Sequence, residues 1–360
     1  MNVQVKPATY GYSFEQWQEW MKSQGEPSFR AKQVCEWVFQ NHKFHPDDMT
    51  NLSKSLRQKI LNSFETSLPK VVNLLEAGDG ATKFLLQTQR GFTVEAVILR
   101  YENRVSLCVS SQVGCKFACS FCQTGKLGFL KNLTTDEIMS QYLFAQKQVE
   151  KEGRRISHVV FMGMGEPLDN YSEVSKALHL LTRDSGYGLS KRKVTLSTSG
   201  VVPKIEELAK TVPVRLAISL HAATDTLRTT LMPINRKYNL ERLKDSLRFY
   251  QEQTKDQITI EYILIKDMND GIKEAKDLVK YLAGLRVKVN LIPFNEHPGL
   301  EMKRPTQEKI EAFQKYLSKR GIPSPVRYSK GLDVSAACGQ LAAKKENNLA
   351  SKPERKNIVA

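Results

Sequence analysis

The sequence contains no run approaching the roughly 18 consecutive apolar residues of a membrane-spanning helix, so no membrane role is expected. Its start, MNVQVKPATYGYSFEQWQEW, has no apolar core behind a basic stretch. That predicts a cytoplasmic protein rather than a secreted one. Cysteine is scarce: six in 360 residues, too few and too scattered for a disulfide-stapled small domain. The third glycine of a dinucleotide-binding G-x-G-x-x-G is missing after Gly163 and Gly165, and no G-x-x-x-x-G-K-S/T occurs, so a Rossmann fingerprint and a P-loop are both excluded. No internal repeat stands out. Acidic residues are in deficit, 38 Asp+Glu against 54 Lys+Arg, for a net charge of +16. The deficit is uneven. Residues 1–80 are neutral, with nine of each sign, and residues 81–360 carry 45 basic against 29 acidic residues. This favours an anionic partner, with nucleic acid the first choice over mere solubility. Apolar residues make up 41% of the chain, enough for a real core and too many for a disordered protein.

What is present divides into three parts and a tail. Residues 1–67 read as a helical accessory domain. Ser13 and Gln16 form a capping box before one helix, Ser28 precedes a second in which Val34, Trp37 and Val38 make an apolar stripe, and a third spans 52–64. Cys35 beside that stripe reads as a small core residue. Residues 68–103 read as a β-rich connector with strands at 71–75, 83–87 and 94–99, able to form an antiparallel unit. Residues 104–341 alternate strand and helix. Strands are expected at 105–109, 158–162, 194–197, 214–220, 258–264 and 287–291. Helices are expected at 135–150 (opened by a Thr134/Glu137 capping box), 172–182, 204–210, 240–253, 273–285 and 307–319. Six alternations make an α/β fold with a parallel sheet, either doubly wound or an incomplete (β/α)6 TIM-like barrel. In both, ligands bind at the C-terminal strand ends. Residues 342–360 read as a flexible basic tail.

Half of the cysteines fall within eight residues, as CKFACSFC: Cys115, Cys119 and Cys122 in C-x3-C-x2-C spacing, just after the first barrel-like strand. Three thiolates can hold three irons of a cubane and leave the fourth iron open. A structural zinc needs four ligands. No histidine lies near this loop in sequence, and Cys108 is seven residues back on a strand.

With Phe121 before the last cysteine, this loop resembles that of the radical S-adenosylmethionine (SAM) enzymes. FMGMGEP at 161–167 resembles their strand-end motif that contacts the SAM amino group. The ordered strings CVSSQVGC, FMGMGEPL, VTLSTSGVVP, AISLHA, LMPIN, IEYILI, NLIPFN and AACGQL narrow the resemblance to the RlmN-type RNA methyltransferases, over nearly the whole chain.

The resemblance implies a radical SAM partial barrel carrying a [4Fe-4S] cluster on Cys115, Cys119 and Cys122. It implies methylation of adenine carbon 2 in 23S rRNA and tRNA. In that family one SAM methylates a C-terminal cysteine, matched here by Cys338. A second SAM is cleaved at the cluster, and the resulting radical activates the S-methyl group. Another cysteine, matched by Cys108, resolves the protein–RNA adduct by forming a disulfide with Cys338. Glu95 in TVEAVILR matches the family's proton acceptor, although a glutamate on a strand is commonly just solvent-facing. The SAM site carries over to Gly165, Glu166, Ser197, Ser219, Leu220, His221 and Asn295. His42, His45, His158, His179 and His297 read as structural. Gln123 is a departure, since the family has a smaller residue there.

The family further implies a flavodoxin-type electron donor; a monomer is expected. Basic stretches at 126–131, 151–155, 191–193 and 315–320 are candidates for phosphate contact, which is salt-sensitive and blind to sequence. The target base must be unstacked. Three rival readings remain, one of them a non-enzymatic, zinc-stabilised RNA-binding module that would not react with SAM. A Cfr-like enzyme methylates carbon 8 and reads GMGEA where this chain has GMGEP, so Pro167 favours carbon 2. A radical enzyme with a non-RNA substrate would need neither Cys108 and Cys338 nor the basic excess.

Overall fold

The structure is a computed structural model, and it describes residues 6–89, 91–297 and 299–341. The expected basic tail lies outside the described residues. Its strands are β1 Val71–Glu76, β2 Ala81–Gln87, β3 Thr93–Tyr101, β4 Arg104–Cys108, β5 Gln112–Gly114, β6 Phe129–Asn132, β7 His158–Phe161, β8 Val194–Thr198, β9 Arg215–Ser219, β10 Ile258–Leu264 and β11 Val287–Pro293. Nine of them form one sheet in the order β1-β2-β3-β4-β7-β8-β9-β10-β11.

That order decides between the two α/β architectures. A doubly wound sheet reverses direction at a switch point. Here β4, β7, β8, β9, β10 and β11 are parallel and strictly sequential. Right-handed crossovers therefore put every connecting helix on one face, and the twisted sheet curls away from them. The helices Thr135–Glu150, Tyr171–Thr182, Val202–Thr211, Leu240–Thr254, Ile272–Leu282 and Gln307–Ser318 follow the six strands in turn. The result is the partial (β/α)6 barrel. All seven residues of β10 are buried, as a strand covered on both faces requires.

The antiparallel connector is larger than the sequence suggests. β1, β2 and β3 form a meander that pairs directly with β4, so connector and barrel share one continuous sheet. The register sets Lys83 opposite Val97, Val97 opposite Cys108, and Leu85 opposite Glu95. With a side-chain period of two, Lys83, Glu95 and Cys108 share one face of the sheet.

The N-terminal helices Phe14–Ser23, Arg30–Cys35 (continuing as a π-turn, Glu36–Gln40) and Lys54–Ser63 pack around Trp17 and Phe64, whose rings lie 4.6 Å apart. Ser13 and Gln16 do form the capping box. Cys35 is buried in this core. Phe39 and Tyr142 both meet Tyr187 at 5.0 Å, seating the helical region on the first barrel helix. Among the described residues, no helix is long and apolar enough to cross a membrane.

Besides the one-turn helix Gln123–Lys126, a hairpin and a further short helix escaped the sequence patterns. The hairpin β5–β6 brackets the cysteine loop. A short helix, Asp225–Leu231, follows β9. Both are too short to show a period.

Candidate active site

A cavity opens at the C-terminal ends of the barrel strands. Cys115, Cys119, Cys122, Gly165, Glu166, Ser197, Ser219, His221 and Cys338 all line it. Loops at these ends carry no sheet hydrogen bonds, so their backbones are available to shape a site.

The cysteine loop is fixed by its backbone. Cys115 N–H donates to Gly128 O at 3.0 Å, Ser120 N–H to Leu231 O at 3.0 Å and Cys122 N–H to Cys119 O at 3.1 Å. A Cβ on Gly114, which has φ +78°, would lie 1.8 Å from Gly128 O, so the hairpin closes only on glycine. Burial pushes the Cys115 thiol up to about 12 and raises Cys119 further. Iron coordination would release those protons, because the thiolate is the ligand. Among the described residues, no three His, Cys, Asp or Glu side chains converge on a single metal ion. A cubane gives each thiolate its own iron and requires no such convergence. Three thiolates match three irons of a cubane and fall one ligand short of a structural zinc site, so the donor set fits an iron–sulfur cluster.

The strand-end motif after β7 fits tightly against the chain that runs from β4 into β5. A Cβ on Gly163 would meet Ser110 Oγ at 2.5 Å, and one on Gly165 (φ +97°) would meet Gln112 Cβ at 2.5 Å. Glu166 is buried and its acidity is weakened by desolvation. Its Oε2 accepts from Ser199 N–H and Oγ at 2.8 Å, and its Oε1 accepts from Leu168 N–H at 3.0 Å. His221 has φ +59°, and its ring edge meets Phe121 at 4.8 Å. Burial and nearby Arg228 push its pKa down to about 3, so the ring is neutral. Its Nδ1 accepts from Ile263 N–H at 3.1 Å, which leaves the proton on Nε2.

Not every expected residue lines the cavity. Leu220 is fully buried beside it and acts through its backbone: its N–H donates to Glu261 O, and its carbonyl accepts from Arg228. Asn295 Nδ2 donates to Ser329 Oγ at 2.9 Å and to Cys338 O at 3.2 Å, so it holds the cysteine-bearing segment. Glu95 and Cys108 sit on the adjoining face of the β3–β4 pair, both buried. Glu95 is therefore not on an exposed face; Lys83 Nζ lies 3.4 Å from its Oε1. Desolvation raises the Cys108 thiol, with the nearby Cys338 charge as second cause. Cys338 is open to the cavity, yet the protein packed around it pushes its thiol up to about 11, with Glu261 adding to the effect of burial. All six cysteines are free thiols.

The segment bearing Cys338 lies across the cysteine loop. Gln123 N–H donates to Gly339 O at 2.8 Å, and Thr124 Oγ1 donates to Leu341 O at 2.6 Å. The unusual Gln123 also meets His297 through its side chain, and His297 Nε2 reaches Phe121 O at 3.3 Å, so both brace the loop.

Several site residues went unmarked in the sequence. Glu261 lines the cavity, accepts from Asn290 Nδ2 at 2.9 Å, and has a carboxyl pushed up to about 7 by burial. The signal was the one used for Glu95, a carboxylate within an apolar strand. Arg228 is fully buried and joins Ser199 O (2.7 Å), Asn235 Oδ1 (2.8 Å) and Leu220 O (3.3 Å). It lies on the helix that showed no period. Lys83 had no signal at all, since lysines on strands are ordinarily exposed.

Comparison with known proteins agrees with this geometry. The profile of the Radical SAM superfamily matches residues 109–281. That of the ribosomal RNA large subunit methyltransferase N-terminal domain matches residues 10–65. The chain is 43% identical over 340 residues to the dual-specificity RNA methyltransferase RlmN of a Nitratiruptor species, covering 91% of this chain and 96% of the relative. It is 40% identical to a probable dual-specificity RNA methyltransferase RlmN of Staphylococcus saprophyticus, covering 94% and 93% respectively. It also superposes on the crystal structure of a radical SAM methyltransferase from Sphaerobacter thermophilus with a TM-score of 0.89 and 39% identity, over 93% of this chain and 98% of that one.

Proposed function

This chain belongs to the RlmN family of radical SAM methyltransferases, and from that premise we propose that it methylates carbon 2 of a specific adenine in 23S rRNA and in tRNA. The observation that carries this reading is the position of Cys338. It opens into the cavity lined by the three clustered cysteines, on a segment bonded to the cysteine loop at Gln123 and Thr124. A methyl group on that sulfur would sit beside the chemistry able to activate it.

Adenine carbon 2 is not nucleophilic, so direct methyl transfer from SAM to it is closed. Cys115, Cys119 and Cys122 would hold a [4Fe-4S] cluster, which would supply the electron for the reductive cleavage of SAM to a hydrogen-abstracting radical. The remaining steps belong to the protein. Gly165, Glu166, Ser197, Ser219 and His221 orient SAM. The Cys338 sulfur first takes a methyl group, losing its thiol proton as the new S–C bond forms. The adduct formed when the activated carbon joins adenine is a radical, so it must lose one electron, which the oxidised form of the one-electron donor that cleaved SAM can take back, and the C2 hydrogen as a proton, which Glu95 accepts. The Cys108 sulfur then gives up its thiol proton and bonds to the Cys338 sulfur, the S–C bond breaks with its electron pair leaving on carbon, and that carbon takes a proton to become the methyl group.

The basic residues of 81–360 hold the RNA backbone, residues 1–67 serve as an accessory domain, and residues 68–103 present Glu95. A flavodoxin-type protein supplies the electron, and the enzyme works as a monomer in the cytoplasm. The test is nucleoside mass spectrometry on 23S rRNA and tRNA from cells lacking the activity, treated anaerobically with reconstituted protein, SAM and a reductant. 2-Methyladenosine in both RNAs is the expected result. 8-Methyladenosine would assign the Cfr-like regiochemistry and make Pro167 a false guide. No methylated adenosine despite SAM cleavage would point to a non-RNA substrate.

A further inference from the structure

Lys83 is a buried charge that the reaction above leaves without a task. It is 6% exposed, in the middle of β2, on the face shared with Glu95 and Cys108. Its ammonium has two partners from opposite ends of the chain. Glu95 Oε1 lies 3.4 Å away, and the side chains of the pair are only 8% and 4% exposed. The second partner is Ser335 O, which accepts from Nζ at 3.1 Å, three residues before Cys338. The surrounding contact is tight. Ala81, two residues earlier on β2, and Ala336 both crowd Gly331, where an added Cβ would lie 3.2 Å and 2.7 Å from their Cβ atoms.

Stability does not account for such a pair. Taking an ammonium and a carboxylate out of water costs several kcal/mol each, and well-packed apolar replacements are often neutral or stabilising. What the pair does supply is geometry. A carboxylate beside a fixed ammonium is held to one rotamer, and that ammonium is itself fixed by the carbonyl of the cysteine-bearing segment.

We propose that Lys83 is a positioning residue that couples the proton acceptor to the methyl carrier: Glu95 is aimed correctly only while the segment bearing Cys338 is seated on β2. The inference rests on the roles given above to Glu95 and Cys338. When the segment lifts, Lys83 loses its Ser335 acceptor and Glu95 loses its fixed partner. Proton removal is thereby confined to the interval in which the adduct is in place.

The test uses the full-length reconstituted enzyme with Lys83→Met, Lys83→Arg, Glu95→Gln and the Lys83→Met/Glu95→Gln double variant. Four quantities are read: S-methylation of Cys338 by mass spectrometry, covalent protein–RNA adduct on denaturing gels, methyladenosine formed, and the rate at which iodoacetamide alkylates Cys338 in the unmethylated enzyme. Lys83→Met is expected to keep Cys338 methylation within about twofold and to lower methyladenosine about 100-fold, the effect of misplacing a catalytic group by about an ångström. It should accumulate adduct as Glu95→Gln does, and alkylate several-fold faster, whereas Glu95→Gln should alkylate at the normal rate. Lys83→Arg should recover most of the activity. The double variant should be no worse than Glu95→Gln alone, since the two act through one contact. If Glu95→Gln is inactive but Lys83→Met forms product at the normal rate, the role of Lys83 is refuted and that of Glu95 stands. If Glu95→Gln is fully active, both roles fall together. Additive losses, with unchanged Cys338 alkylation, would also overturn the coupling.

Discussion

The loop of Cys115, Cys119 and Cys122 and the segment of Cys338 line one cavity but are held by different means. The loop is fixed by main-chain bonds to Gly128, Leu231 and itself, within a hairpin that closes only on Gly114. The segment 329–341 contains no helix or strand. Much of its support comes from side chains reaching it from distant elements: Lys83 to Ser335 O, Asp79 Oδ2 to Gly331 N–H (2.8 Å), Asn295 to Cys338 O, and its own Gln340 to Glu296 O (3.1 Å). A main-chain mesh defines one geometry. Separate side-chain bonds, each worth about 1 kcal/mol net, can be released and remade. A ligand set needs the first. A sulfur proposed to meet a methyl donor, an RNA base and a second thiol in turn needs the second.

The sharpest way to break that contrast is to damage each side in turn. Cys115→Ala is expected to lose the cluster's visible absorbance and all methyl transfer; retained SAM cleavage would refute the ligand assignment. Cys338→Ala is expected to keep the absorbance and SAM cleavage while transferring no methyl to RNA, and Cys108→Ala to trap protein–RNA adduct on denaturing gels. Normal methylation by Cys338→Ala would end the two-cysteine scheme.

Gly114→Ala attacks the rigid side without touching a ligand. Strain at φ +78° and the clash with Gly128 O should cost about 3 kcal/mol, seen as a lower melting temperature and poor cluster retention. An unchanged melt would show that the loop is not fixed there.

Glu261 faces the cavity between the two regions. Its carboxyl rises from 4.5 unfolded to about 7 folded. The folded state therefore retains a proton that the unfolded chain gives up. This stabilisation is complete below about pH 4.5 and is lost as pH rises to about 7, a swing of roughly 3 kcal/mol. The melting temperature of Glu261→Gln should gain on wild type between about pH 5 and 8; a constant difference would contradict the shift. The smallest effect is expected at the tethered side. Asp79→Asn weakens one tether, and alkylation of Cys338 should quicken about fivefold, with the cluster spectrum unchanged.

Much of this site was legible in the sequence because its residues fall in loop motifs whose spacing survives without a structure. CKFACSFC, GMGEP and AISLHA each end a strand, and the strands announced themselves by apolar runs. Strand order was not legible. It is a property of the assembled sheet; periodicity left barrel and doubly wound fold open, the family resemblance implied the partial barrel, and the sequential pairing from β4 to β11 bears it out. Glu95 and Lys83 show a second limit. A period of two says which residues share a face, but burial of that face comes from a segment 252 positions away at Ser335. Leu220 and Asn295 show a third. A motif puts a residue near a ligand without saying whether its side chain, its backbone or a neighbour makes the contact.

That separation of 252 positions has a consequence for how the protein is made. Chains emerge N-terminus first, and early regions fold while later ones are still being synthesised. The meander β1–β3, with Lys83 and Glu95 on it, and the cysteine hairpin are therefore complete well before the segment that docks on them. The cysteine loop gains its bond to Leu231 O, and then those to Gly339 and Leu341, only as those later residues emerge. On the proposed mechanism, a chain that still lacks the Cys338 segment cannot bond itself to RNA.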